Sequence, residues 1–215
     1  MLNYRRLIVG EMGTNCYLVW AEDKTAIVID PGDEGTEIAQ IVNEIGLKLV
    51  AILLTHGHFD HILGVLDLQL IFKIPVAMGK EDAFLIDMAQ ETAEFYLNRK
   101  IRATKIRSLN SGFKNIENIK LGAETIKVIK TPGHTPGSVC FYAQKSGLLF
   151  CGDTIFADGV GDTTHQYSSK VELNKSIDKL FKLSKKVTVL PGHGEEISLI
   201  LLKKLFLQNF VNYLA

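Results

Sequence analysis

A chain of 215 residues, 47% of them hydrophobic, can bury a sizeable core and suits one large domain or two small ones. Lysine plus arginine and aspartate plus glutamate balance at 24 each, so no overall field favours nucleic acid or an anionic membrane. The first ten residues lack a signal-peptide apolar core, and no later run approaches the roughly 18 apolar residues of a membrane span, so a soluble, cytoplasmic protein is expected.

In chain order, short strand signals occur at 7–9, 16–20 and 25–29, separated by Gly-rich or charged turns, which predicts an antiparallel meander. Asp30-Pro31-Gly32 stops the third strand, because Pro31 cannot donate to a ladder and Gly32 permits a sharp turn. Thr36 is placed to cap a helix whose Ile38, Ile41, Val42 and Ile45 follow helical spacing, with Gly46 at its C-terminal exit. The apolar run 50–54 reads as a buried strand, giving strand, helix, strand.

Directly after it stands Thr55-His56-Gly57-His58-Phe59-Asp60-His61, three imidazoles and a carboxylate within six positions. Alternate residues of an extended chain project the same way, so His56 and His58 share one side. Asp60 and His61, where the chain turns, can face a second point nearby. Random placement at this chain's own His and Asp frequencies would give such a pattern with a probability of roughly a few in ten thousand. Two adjacent metal positions are the natural reading, and the ligand types suit zinc as well as iron or manganese.

Residues 61–72 are apolar on most sides, as for a helix pressed against a sheet. A short strand at 75–78 and a helix at 80–97 follow, the latter with Phe84, Leu85, Met88, Thr92, Phe95 and Tyr96 along one face read as core. The basic stretch 99–105 reads as solvated surface. A second set of strands is predicted at 119–121, 125–130, 138–143, 148–152 and 187–190, so that both halves follow a strands-then-helix plan. Ser169 with Glu172 forms a capping box ahead of a helix carrying Leu173, Ile177, Leu180 and Phe181. A last helix is expected from about Glu195, its Leu201, Leu202, Leu205, Phe206 and Phe210 either closing the core or making a homo-oligomer face. No linker or boundary divides the chain, and residues 1–215 are read as one domain. Cys16, Cys140 and Cys151 each sit in an apolar, strand-like stretch and are expected as free buried thiols.

The remaining candidate ligands end second-half strands. His134 sits in Thr131-Pro132-Gly133-His134-Thr135-Pro136-Gly137, Asp153 in Gly152-Asp153-Thr154, and His193 in Leu190-Pro191-Gly192-His193-Gly194. Function commonly collects in loops that leave a sheet. The sixth histidine, His165, has no such setting and is unassigned.

Together with Asn15-Cys16-Tyr17-Leu18 and Asp30-Pro31-Gly32, these motifs resemble the metallo-β-lactamase superfamily, and within it the glyoxalase II-like hydrolases. The resemblance implies an α/β fold, a four-layer αββα sandwich with metals along one sheet edge. It implies that His56, His58 and His134 hold one metal, that Asp60, His61 and His193 hold a second, and that Asp153 bridges them. Each ion then has three terminal ligands plus the shared carboxylate, leaving room for a bridging water and for substrate. Two adjacent dications, zinc or else iron or manganese, would bring that water towards a hydroxide nucleophile at neutral pH and polarise the attacked carbonyl. Asp60 would aim the hydroxide. Asp30 either orients a ligand or only stabilises its turn.

The activity implied is hydrolysis of a small-molecule thioester, as by a hydroxyacylglutathione hydrolase. Two features set glutathione apart. The chain ends soon after His193, without the C-terminal helical extension of glutathione-binding relatives, and Asp162 stands where such enzymes commonly carry Arg or Lys. An acid there repels a substrate carboxylate, favouring a neutral, cationic or differently oriented acyl-thiol. Rival readings are a persulfide dioxygenase with one iron, a phosphodiesterase, which would be expected to carry an exosite, and a non-enzymatic metal-binding domain. Lactam hydrolysis normally goes with a secretory signal.

Overall fold

The computed structural model describes residues 1–101, 117–184 and 186–214, the stretch 209–214 as backbone alone. Two sheets form its centre. The first takes β1 (Asn3–Val9), β2 (Thr14–Trp20), β3 (Thr25–Ile29), β4 (Lys48–Leu53) and β5 (Val76–Ala77), in that order. β1, β2 and β3 pair antiparallel as the predicted meander, whereas β3, β4 and β5 pair in parallel. The second takes β6 (Asn118–Leu121), β7 (Glu124–Lys130), β8 (Val139–Ala143), β9 (Leu148–Gly152), β10 (Thr188–Pro191) and β11 (Ile197–Ser198), ordered β11-β10-β9-β8-β7-β6. Of its pairs only β9–β10 is parallel.

Alternation along each central strand sends side chains into two different cores. Tyr17, Val19, Ile27 and Ile29 meet Phe141, Phe150 and Leu190 between the sheets. Their neighbours Cys16, Leu18, Ala26 and Val28 face the opposite way, onto α1 (Gly35–Ile45), α2 (Val65–Phe72) and α3 (Ala83–Leu97). Cys140, Leu149 and Val189 likewise face α4 (Lys170–Leu180) and α5 (Leu199–Leu214). The result is the expected αββα sandwich. Strands buried on both faces read as continuous apolar runs, which is why the sequence marked them. The three cysteines are free and buried, as expected.

Four expectations are corrected. The first helix begins at Gly35, and Thr36 does not cap it: Glu34 precedes it in a left-handed conformation without a side-chain cap, and the Thr36 hydroxyl bonds Glu37. Its start is set by packing, since a Cβ on Gly35 would lie 2.5 Å from the Gly64 carbonyl oxygen. The second helix begins at Val65, after a 3-10 turn over Phe59–His61. The Leu63 and Gly64 amides bond Gly32 and Pro31 carbonyls, holding the chain off a helical path, and Leu70 and Ile71 stay exposed.

The buried face of α3 is Leu85, Ala89 and Ala93; Met88, Phe95 and Tyr96 are exposed. Ile86 and Leu97 pack partly buried against the same core, and the Tyr96 ring stacks on Phe59 of the 3-10 turn. The last helix starts at Leu199 rather than Glu195, because Ile197 and Ser198 add an edge strand to β10. In it Leu202 is buried and Leu201 exposed, while Phe206 packs partly buried against the core. Residues 102–105 of the basic stretch and the Phe210 side chain lie outside the described residues. No helix among the described residues is long and apolar enough to cross a membrane.

Phe150 is fully buried between the sheets, its ring edge-on to Tyr17 at 5.2 Å between centroids. Phe150→Ala is expected to lower unfolding free energy by about 3–5 kcal/mol in chemical denaturation; a loss under about 1 kcal/mol would show that the sheets do not depend on this contact.

Candidate metal centre

The parallel strands β3, β4, β9 and β10 deliver Asp30, the 55–61 stretch, Asp153 and His193 to one edge of the sandwich, and the β7–β8 turn adds His134. The Val139 amide bonds the Thr55 carbonyl at 2.8 Å, joining the two sheets beside these loops. All seven residues singled out from the sequence converge there in two clusters.

In the first cluster His58 Nδ1 lies 3.1 Å from His56 Nε2 and 3.0 Å from His134 Nε2. Ligands about 2.0 Å from a tetrahedral zinc stand roughly 3.3 Å apart, so three nitrogens so placed suit one ion. The outer ring nitrogens are each taken. His134 Nδ1 donates to the Asp162 carbonyl at 2.8 Å, and an acceptor that cannot donate fixes that tautomer. His56 Nδ1 lies 3.0 Å from the Thr55 hydroxyl, which itself donates to Asp30 Oδ2 and so must accept from the ring. His58 Nε2 meets the Tyr167 hydroxyl at 2.9 Å.

In the second cluster Asp60 Oδ2 stands 3.2 Å from His193 Nε2 and 3.5 Å from His61 Nε2. Asp153 faces both clusters: Oδ1 is 3.5 Å from His61 Nε2, and Oδ2 is 3.7 Å from His193 Nε2 and 3.8 Å from His134 Nε2. His61 Nε2 and Asp153 Oδ1 are buried without a hydrogen-bond partner. Two orphaned buried polar atoms cost about 1–3 kcal/mol each, and a cation between them satisfies both. The residues therefore fit a divalent metal.

Asp30, with His56 and His61, makes a third grouping of metal-binding atom types. Its two oxygens already receive the Thr55 amide at 2.7 Å, the Thr55 hydroxyl and His61 Nδ1 at 3.0 Å, so it serves as the orienting partner behind the clusters. Its side-chain bonds go to Thr55 and His61, so the first of its two sequence readings, the partner that orients a ligand, agrees with the geometry, and the reading in which it only stabilises its turn does not.

Burial foremost, then the neighbouring imidazoles, push His56 well below its ordinary pKa and His58 down to about 3, leaving neutral lone pairs for a metal. Burial also presses His61 down, but Asp60, Asp153 and Asp30 outweigh it and raise the ring to about 10. That field draws positive charge to the second cluster. Burial pushes the Asp60 carboxyl up, and His61 and His193 more than reverse it, holding it below the usual carboxylate range.

Sequence reasoning quoted Thr55 at the head of the His-rich stretch without giving it a role, and missed Tyr167, Thr14 and Asp82, whose types carry no motif signal in isolation. Thr14 donates its hydroxyl to Asp60 at 3.1 Å. Tyr167 keeps its proton, burial raising it to about 12, and His165 stacks on it at 5.1 Å between centroids. The Asp162 carboxylate is held by the Thr164 amide and hydroxyl at 2.8 and 2.7 Å, 3.9 Å from His165 Nε2.

A family model of the metallo-beta-lactamase superfamily matches residues 9–193. The chain is 33% identical to the probable metallo-hydrolase YqgX of Bacillus subtilis over 93% of both chains. It is 32% identical to the hydroxyacylglutathione hydrolase GloC of Haemophilus influenzae over 90% of this chain and 91% of that one. Among solved structures it resembles the BLEG-1 B3 metallo-beta-lactamase, with TM-score 0.85 and 33% identity over 93% of this chain and 95% of that one. TTHA1623 in a di-iron-bound form gives 0.80 and 31% over 92% and 96%.

Chelator-stripped protein titrated with zinc or ferrous iron is expected to bind two ions per chain by elemental analysis, with a raised Tm. Asp153→Ala should cut the stoichiometry, and Asp30→Ala should weaken binding about 10–100-fold. Unchanged metal content in Asp153→Ala would remove this carboxylate from the centre.

Proposed function

The chain belongs to the metallo-beta-lactamase superfamily, and we propose that within it the protein is a metal-dependent hydrolase of small thioesters. The observation that carries this reading is the carboxylate of Asp153 turned towards both clusters, with His61 Nε2 and Asp153 Oδ1 buried and unpartnered. On this reading His56, His58 and His134 hold one ion, Asp60, His61 and His193 the other, and Asp153 both. Three terminal ligands and a shared one leave open coordination positions, the mark of catalytic rather than structural sites. A divalent pair bound there acidifies water and polarises a carbonyl.

The chain's own groups do the rest. Asp60 stays a carboxylate, steadied by Thr14, and can take a hydrogen bond from the attacking water and aim it. The outer-nitrogen partners keep the imidazoles from rotating. A cysteine nucleophile is disfavoured: Cys16, Cys140 and Cys151 are fully buried, and burial foremost raises each thiol, Cys140 to about 11.

The thioester assignment draws on the similarity to GloC. The rim argues for a substrate other than an anionic glutathione conjugate, because the exposed Asp162 carboxylate lies next to the carbonyl that holds His134.

Metal-loaded protein is expected to cleave simple acyl thioesters, with His58→Ala at the background rate. Undiminished turnover by metal-free protein would refute the mechanism, and oxygen uptake with a persulfide would move the reaction to the dioxygenases. Asp162→Arg should raise kcat/KM on S-lactoylglutathione roughly two- to fivefold, the scale of one exposed charge. An unchanged or lower value would show that this side chain does not face the substrate.

A further inference from the structure

Asp82 closes the 3-10 turn Lys80–Asp82 ahead of α3 and belongs to none of the loops that carry the seven clustered residues. It is fully buried. Its Oδ2 accepts the Thr135 hydroxyl at 2.6 Å and the Gly57 amide at 3.1 Å, and its Oδ1 accepts the Gly137 amide at 2.6 Å. Gly57 lies between His56 and His58, and Thr135 follows His134. One carboxylate from outside thus ties together the two loops, one from each sheet, that supply the three imidazoles of the first cluster.

The surroundings are shaped around it. A Cβ on Gly137 would lie 2.7 Å from Asp82 Cγ, and one on Gly57 would lie 3.0 Å from the Asp82 carbonyl oxygen. Helix capping does not account for the residue, since α3 has no side-chain cap bond. Burying a carboxylate is costly unless charge-assisted hydrogen bonds compensate it, and all three of its donors come from these two loops. The second cluster rests on other partners, with Thr14 on Asp60 and Asp30 on His61.

We infer that Asp82 is a positioning residue that sets the spacing of His56, His58 and His134, so that the first metal site depends on it and the second does not. This rests on the two-ion reading above. Asp82→Asn keeps the volume but turns one acceptor into a donor facing the loop donors, so at least one of the three bonds is lost.

The experiment is stepwise zinc binding by chelator competition, together with the cobalt absorption spectrum, on wild type, Asp82→Asn, Thr135→Val and Val42→Ala. Val42 is buried beneath the first sheet on α1 and serves as the stability control. The step lost in His58→Ala identifies the first site. Asp82→Asn is expected to weaken that step about 10–100-fold and leave the other within about twofold, with Thr135→Val showing a smaller change at the same step. Val42→Ala should lower Tm and move neither step. Equal weakening of both steps, no weakening, or the same loss in Val42→Ala would overturn the role of Asp82. Wild-type protein that takes up no second ion would defeat the two-ion reading and this proposal together, whereas two ions in wild type and in Asp82→Asn alike, both at wild-type affinity, would defeat this proposal alone.

Discussion

An imidazole that offers one nitrogen to a cation must place the other somewhere, and burial of the ring forbids leaving it bare. In this protein the second nitrogen goes to a hydroxyl on Thr55, a phenol on Tyr167, a carboxylate on Asp30 and a main-chain carbonyl at Asp162. These acceptors come from separate parts of the chain, and together they fix which way each ring faces. Asp30 adopts a left-handed backbone conformation, φ 50°, that Asp tolerates better than most residues. The conformation turns its carboxylate under both Thr55 and His61, so one residue at the end of β3 settles two rings.

Each cluster draws two residues from the first half of the chain and one from the second, with Asp153 also from the second. Their geometry therefore depends on how the halves are joined. The join is polar and local to the site. The Asn15 amide bonds the Gly192 carbonyl at 2.7 Å, its side chain reaches the Pro191 and Gly194 carbonyls, and the Tyr17 hydroxyl also meets Pro191. Those bonds bracket His193 on both sides. On the other flank Asp82 and the Thr55–Val139 bond fasten the His134 loop. The clustered residues are thus held in place by the chain's own hydrogen bonds, unlike those of small domains that fold only on binding metal.

The sequence disclosed most of the strands and all seven clustered residues, because both signals are local: strands buried on two faces are uninterrupted apolar runs, and His, Asp and Gly crowd the loops that follow them. Helix starts were less legible. Thr36 has the right chemistry for a cap, but the packing of Gly35 against Gly64 decides where that helix begins. The face of α3 was misjudged because hydrophobicity favours Phe95 and Met88, while the residues buried are Leu85 and the small Ala89 and Ala93. Asp82 fell inside the helix expected at 80–97 and drew no reading of its own. Its partners are 25 to 55 residues distant in sequence, and no periodicity reports such a contact.

The same separation explains why the ligand set is easier to read than the substrate. Asp162 contributes two unrelated things at one position. Its carbonyl oxygen orients His134, a task any residue in that backbone conformation performs, while its carboxylate sets charge at the rim beside Thr164 and His165. Side-chain replacement there alters the charge at the rim and leaves the main-chain bond to His134 available. On the function proposed above, a rim charge that is separate from the imidazole and carboxylate framework lets substrate choice change while the framework stays, which turns the question of substrate towards Asp162 and the neighbouring His165–Tyr167 stack.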